Sequence, residues 1–349
     1  MGVRATVIPQ PVPVPVTVLT GYLGAGKTTL LNRILSEDHG QRYAVIVNEF
    51  GEIGIDAELI THSSEELFEM NNGCVCCSVR GDLIRTLHSL LLRPENFDAI
   101  VVETTGLADP GPVAQTFFVD PLLRAQTRLD SITTLVDAHH VLGQLAHSRE
   151  ARAQIAFADQ LVLNKTDLVN EKALAQVEFA LRQLNPLAPI HRALRGAVPL
   201  RQVMGRGAFD LQRLQTLEPD LANPGHGQPG HVHDGHCSPA PHTHEPIHDS
   251  DITSVSLTSL RPLDATRVQT WLADLVATQG ATLLRSKGIV DIAGDPRRLV
   301  FQSVHMILQG DWQRPWRPDE QRQSRLVFIG RGLNAAALQQ GLDGCENRR

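Results

Sequence analysis

Short apolar runs rich in Val, Ile and Leu recur through the N-terminal half of the chain, many of them followed by a turn and then by apolar residues at helical spacing. The runs at 16–20, 43–47, 99–102, 132–136 and 161–163 have strand length, while 27–35, 82–92 and 171–184 repeat as amphipathic helices do. Ala99-Ile100-Val101-Val102 is apolar at every position rather than alternately, so both of its faces must be covered. Strands of this kind alternating with helices predict an α/β fold, a parallel sheet with helices on both faces. Ligands of such sheets bind at the carboxyl ends of the strands, and every motif described below falls there.

The pattern is interrupted at two places. Pro9, Pro11, Pro13 and Pro15 alternate with other residues, so 1–15 reads as an extended proline-rich leader. Between 223 and 250 the composition shifts to Gly, Pro, Asp and His with no apolar period, which predicts a His-rich linker. After it, strands are expected at 252–257, 283–292, 299–308 and 326–329, with helices at 265–276 and 335–342. The expected organisation is therefore a nucleotide-binding-type α/β domain over 16–222 and a smaller α+β domain over 251–349. His305, inside the 299–308 run, reads as a core histidine.

Composition narrows the function classes. With 42% hydrophobic and 20% charged residues in 349, the chain is an ordinary globular protein. A net charge of −6 with scattered Lys and Arg argues against nucleic acid and anionic membranes as partners. No apolar run has the length of a membrane span, and 1–15 resembles neither a signal nor a transit peptide. Five cysteines, three of them nearly adjacent, fit metal or redox chemistry in a reducing compartment rather than a disulfide framework, so the cytoplasm is expected.

Three motifs describe a nucleotide site. Gly21-Tyr22-Leu23-Gly24-Ala25-Gly26-Lys27-Thr28 follows a strand and opens a helix, as a phosphate loop does. Its glycines let backbone amides approach phosphate oxygens, Lys27 neutralises the terminal phosphates, and the Thr28 hydroxyl is placed to ligate Mg²⁺. Glu103-Thr104-Thr105-Gly106 ends another apolar strand, putting a carboxylate within reach of Mg²⁺ or its water and a glycine near a γ-phosphate. Asn164-Lys165-Thr166-Asp167 ends a third. Its aspartate would accept from N1–H and the exocyclic amine of guanine, a donor pair adenine lacks, which favours GTP over ATP. No glutamine or arginine stands out as a water-orienting or charge-stabilising residue, so slow intrinsic turnover is expected unless a partner supplies one.

Candidate metal ligands lie between and beyond these motifs. Cys74-Val75-Cys76-Cys77 lacks the two-residue spacer of a structural zinc knuckle. On an extended segment Cys74 and Cys76 share a face and Cys77 points away, leaving a site of two or three thiolates open to a ligand from elsewhere. Soft thiolates favour Zn²⁺, Cu⁺ or Co²⁺ over Mg²⁺. In Asn48-Glu49-Phe50-Gly51-Glu52, Glu49 or Glu52 would sense Mg²⁺ or the attacking water, or supply the metal with a carboxylate; a plain surface loop is the alternative. His226, His231, His233, His236, His242, His244 and His248, with Cys237 among them, form an accessory set able to gather weakly held ions, unless they are incidental to a polar linker.

Assembled, these residues resemble the CobW-like family of metal-handling P-loop GTPases. The likeness runs from about 16 to 342. It rests on the phosphate loop through Thr29, Asn48 to Glu52, Asn72-Gly73-Cys74-Val75-Cys76-Cys77, Glu103 to Pro110 and Asn164 to Asp167. In the C-terminal part it rests on Leu284 to Gly288, Phe301 to His305 and Val327 to Gly330. The resemblance implies a P-loop NTPase sheet, a CobW-type C-terminal domain, and a GTPase that binds zinc, or cobalt for cobalamin synthesis or metalloenzyme maturation, and transfers it to a client protein. Its nucleotide site would comprise Gly21, Gly24, Ala25, Gly26, Lys27, Thr28, Thr29, Gly106, Asn164, Lys165 and Asp167, with Lys27, Thr28 and Glu103 carrying the hydrolysis. Cys74, Cys76 and Cys77, assisted by Glu52, would hold the cargo. A non-catalytic zinc store using the histidines is the reading from another class, and the choice between monomer and dimer stays open.

Overall fold

The computed structural model describes residues 12–37, 40–47, 66–69, 78–93, 97–209 and 252–347. Glu49, Glu52, Cys74, Cys76, Cys77, Cys237 and the histidines from His226 to His248 lie outside the described residues. The chain divides into two compact units, Met1–His140 with Gln160–Val169 and Ile190–Phe209, and Val141–Asp159 with Asn170–Pro189 and Asp210–Arg349.

The first unit is built on seven parallel strands: β1 (Val14–Gly21), β2 (Tyr43–Val47), β3 (Glu66–Glu69), β4 (Ala99–Glu103), β5 (Thr127–Asp137), β6 (Gln160–Asn164) and β7 (Ile190–Arg192). Their order is β3-β2-β4-β1-β5-β6-β7, so β1 lies between β4 and β5 at the point where the winding reverses. A crevice opens at such a point beyond the carboxyl ends of the strands. Helix α1 (Lys27–Ser36) buries Leu30, Leu31 and Ile34 against Leu19, Val45, Val101, Leu135 and Val162 on one face. Val18, Ile46, Ile100 and Val102 point to the other face and are equally buried, which explains the uninterrupted apolar runs.

Further helices follow: α2 (Ser78–Leu91), α3 (Pro110–Val119) and α4 (Pro121–Gln126). Neither α3 nor α4 is expected from apolar spacing, yet each starts with a proline behind a capping aspartate. Asp109 accepts from the Gly111 amide at 2.9 Å, and Asp120 from Leu122 and Leu123 at 3.1 and 3.0 Å.

In the second unit α5 (Val141–His147), α6 (Arg149–Phe157) and α7 (Glu171–Leu184) group with the C-terminal elements. Those are β8 (Ile252–Ser259), α8 (Ala265–Gln279), β9 (Leu283–Asp291), β10 (Arg297–Val304), β11 (Ile307–Pro315), β12 (Ser324–Arg331) and α9 (Ala335–Gly344). The five strands form an antiparallel sheet in the order β11-β10-β9-β12-β8. Val268, Leu272, Leu338 and Leu342 of α8 and α9 pack with Val290, Phe301, Leu326 and Phe328 to make its core. The expected strand over 299–308 is two strands. Val304 pairs with Ile307 across a turn at His305 and Met306, where His305 has φ 49°. His305 is buried, as expected, but at a hairpin turn rather than within a strand, with its ring 4.9 Å from that of Phe157. No helix among the described residues is long and apolar enough to cross a membrane.

Candidate nucleotide site

The turn after β1 is shaped by its glycines. Gly21, Gly24 and Gly26 have φ of 144°, 74° and 105°, the region that side-chain-bearing residues avoid. A Cβ on Gly26 would lie 2.5 Å from Nδ2 of Asn164, and one on Gly21 would run into the Leu135 carbonyl of β5. Gly26 is also the N-cap of α1 and brings no side-chain cap, and the first turn holds no acid. The leading amides, from Lys27 through Thr28 and Thr29, thus meet an uncapped, electropositive helix end suited to an anion. Lys27 curls back over this loop and donates from Nζ to the Gly21 carbonyl at 2.9 Å.

Glu103 ends β4, in register with Leu19 of β1 and Val47 of β2, and its side chain is buried. The next residue fastens β4 to β1: Thr104 donates from its amide to Leu19 at 3.0 Å and from Oγ1 to Thr20 Oγ1 at 2.8 Å. Gly106 leaves room for the phosphate loop itself, since a Cβ there would stand 2.8 Å from the Leu23 amide nitrogen.

The loop after β6 uses its residues in different directions. Asn164 is buried and turned toward the phosphate loop, donating from Nδ2 to the Ala25 carbonyl at 3.0 Å while Oδ1 accepts from the Gly196 amide at 2.9 Å. Lys165 adopts φ 60° and donates from Nζ to Asp137 Oδ2 at 2.7 Å. Asp167 is exposed within a short 3-10 turn, Thr166–Leu168. Thr166 Oγ1 donates to the Ala193 carbonyl at 3.2 Å and binds this turn to the 193–196 loop.

Asp137, His140, Ala193 and Gly196 are participants that the motif reading does not name. Asp137 ends β5 opposite Asn164. It accepts from the amides of His139 and His140 at 2.9 and 3.3 Å and pairs with His140 Nδ1 at 3.0 Å. Burial alone would raise its pKa; the bonds from Lys165, His140 and the His139 amide outweigh this and hold the carboxyl below its ordinary value. Its sequence signal is the same as that of Glu103, a lone acid closing an apolar strand. The structure brings Gly21, Gly24, Ala25, Gly26, Lys27, Thr28, Thr29, Glu103, Gly106, Asn164, Lys165 and Asp167 to one edge of the sheet. Among the described residues no group of three or more His, Cys, Asp or Glu is arranged to hold a metal.

Residues 15–192 match the family described as CobW/HypB/UreG, nucleotide-binding domain, and 252–346 match the cobalamin synthesis protein CobW C-terminal domain. The chain is 37% identical over 324 residues to the zinc chaperone YjiA of Escherichia coli, covering 91% of this chain and 94% of that protein. It is 34% identical over 358 residues to the zinc chaperone CobW of Pseudomonas aeruginosa, covering 93% and 89%. The crystal structure of Zn(II)-bound YjiA GTPase from E. coli superposes with a TM-score of 0.73 at 32% identity, over 96% of this chain and all of that one. With both domains matched and relatives aligned along nearly its whole length, the chain belongs to the CobW family of P-loop GTPases.

Proposed function

We propose that this protein is a GTP-hydrolysing metallochaperone that takes up zinc through Cys74, Cys76 and Cys77 and hands it to a client protein in the cytoplasm. The observation that carries the GTPase half is the bond from Asn164 to Ala25, which makes the phosphate loop and the base loop one hydrogen-bonded frame. Such a frame suits a ligand with a base at one end and a polyphosphate at the other. The names of the relatives as zinc chaperones support the cargo.

In this reading the loop amides and Lys27 hold the β- and γ-phosphates, and Asp167 accepts from guanine N1–H and the exocyclic amine. The donors at hand fit Mg²⁺: the Thr28 hydroxyl at the start of α1 and the Glu103 carboxylate at the end of β4 are hard oxygens on the same edge of the sheet. Bound there, Mg²⁺ would neutralise phosphate charge as water displaces GDP from the γ-phosphorus.

Coupling to the cargo follows from chain order. Val47 is in register with Glu103 on one side and Glu69 on the other, so β3 and β4 end level with each other. The cysteine segment comes in sequence between β3 and α2, directly after a strand that ends level with β4. GTP would order this segment together with Glu49 and Glu52, and hydrolysis would release it along with the ion.

The test is a competitive titration of zinc against cobalt at buffered free metal, with GDP and with a non-hydrolysable GTP analogue. Zinc binding is expected to be tighter with the analogue by roughly 5- to 150-fold, the usual range of a coupling energy, and GTP tighter with zinc by the same factor. Equal affinities in the two nucleotide states would sink the switch. Loss of most bound metal on deleting 224–248, with Cys74→Ser, Cys76→Ser and Cys77→Ser silent, would favour a histidine store instead.

A further inference from the structure

Asp137 lies on neither the phosphate loop nor the base loop, yet its carboxylate is committed to four hydrogen bonds. Three come from its own turn, through the amides of His139 and His140 and the ring of His140. The fourth comes from Lys165, whose side chain is one third exposed while that of Asp137 is almost fully buried. A lysine at the surface ordinarily leaves its ammonium in water and its four-carbon stem mobile. Here the left-handed backbone at Lys165 turns the stem toward Asp137, and a buried acceptor fixes its far end.

The two loops joined here also present apolar side chains. Leu168 and Leu194 are more than half exposed, one at the end of the turn containing Asp167 and the other on the loop that Thr166 ties to it through Ala193. Apolar side chains presented on two joined loops beside an exposed carboxylate offer flat contact to an aromatic ring whose polar edge the carboxylate reads.

We propose that Asp137, backed by His140, is a positioning residue for the guanine nucleotide: it anchors the Lys165 ammonium so that the lysine stem stands fixed beside Asp167 as part of the base pocket. Asp137 acts only through Lys165 and does not meet the nucleotide. The inference rests on the reading of this site as a guanine-nucleotide site.

The experiment is a double-mutant cycle on the full-length protein, measuring GDP and ADP binding by calorimetry and GTP turnover. Asp137→Asn should weaken GDP binding and raise KM for GTP by about tenfold, equivalent to about 1.4 kcal/mol, with kcat changed less than about twofold. Lys165→Met, which keeps the stem and drops the ammonium, should do the same. In the Lys165→Met background Asp137→Asn should then add nothing, because the group it acts through is gone. Multiplying losses in the double variant, or an unchanged KM in Asp137→Asn, would overturn the inference. Should Asp137→Asn fail to fold, His140→Gln on the exposed side of the network carries the same cycle with a smaller expected loss, about threefold. Wild-type protein with no preference for GDP over ADP would overturn the reading of the site and the inference together. A clear wild-type preference with additive variants overturns the inference alone.

Discussion

The side-chain amide of Asn164 holds the Ala25 carbonyl at 3.0 Å, so the third motif of the nucleotide site is an internal brace for the first. Replacing Asn164 by Ala leaves the Ala25 carbonyl and the Gly196 amide without these bonds in a buried setting. The expected destabilisation of the first unit is about 2–4 kcal/mol, from two lost partners at roughly 1–3 each with partial relaxation. Amide exchange in β1 and β6 should quicken, and GDP and ADP should lose affinity alike, since the side chain supports the frame and reads no base. A loss confined to GDP would contradict this.

The glycines of the phosphate loop should differ sharply. At Gly24 an added Cβ meets nothing within 4 Å, so Gly24→Ala bears only the left-handed strain, about 1 kcal/mol. At Gly21 the same atom meets the Leu135 backbone across the β1–β5 pairing, where neither strand can yield. Gly21→Ala is expected to cost at least about 3 kcal/mol and to abolish GTP turnover. Chemical denaturation of the two variants side by side measures the difference.

How much of this is legible in the sequence depends on whether a residue's role is local. Lys27, Glu103 and Asp167 are readable because each belongs to a contiguous motif at or just after a strand's end. Asp137 is not, because its meaning requires that β5 lie beside β6 with Asp137 level with Asn164. The hairpin at His305 is hidden for another reason. Val304, Ile307 and Leu308 continue one apolar run, and His305-Met306 carries none of the Gly, Asn or Pro signals of a tight turn. The helices after Asp109 and Asp120 escape a reading of apolar period alone, although Asp-Pro at each start is a capping signal in its own right.

Asp120 allows that capping role to be weighed. The Leu123 amide lowers its pKa most; burial opposes, and His88 and the Leu122 amide add to the lowering. A carboxyl depressed in the folded state contributes stability above its unfolded pKa, and that contribution fades as pH falls through the folded value. Asp120→Ala should therefore cost about 1–2 kcal/mol at neutral pH, and little once the wild-type carboxyl is protonated. Amide exchange of α3 and α4 at neutral pH and near pH 3 tests it, and a cost independent of pH would argue for packing instead.

The second unit offers the opposite case, a buried charge whose removal should help. Arg285 and Lys287 lie on one face of β9 and share Asp159: the guanidinium contacts it directly and also donates to the Phe157 carbonyl at 2.8 Å, whereas Lys287 Nζ stands off at 3.5 Å. Burial, reinforced by the Arg285 charge, pushes the Lys287 pKa down to about 8 despite the pull of Asp159. Between the folded value and the ordinary 10.5 the unfolded chain binds more protons, so stability must rise with pH across that window. Below it the penalty is present in full, about 3 kcal/mol from the size of the shift. Lys287→Met should thus stabilise the unit by up to about that amount at neutral pH and flatten the rise between pH 8 and 10. Arg285→Met should do the reverse and destabilise by about 3–5 kcal/mol, because Asp159 would lose the guanidinium that contacts it directly while its charge stays buried. All three tryptophans, Trp271, Trp312 and Trp316, belong to this unit, so denaturation followed by tryptophan fluorescence reports it without interference from the first. If Lys287→Met destabilised the unit at neutral pH, the ammonium would have to be a net contributor there, and the bond to Asp159 would outweigh the desolvation that opposes it.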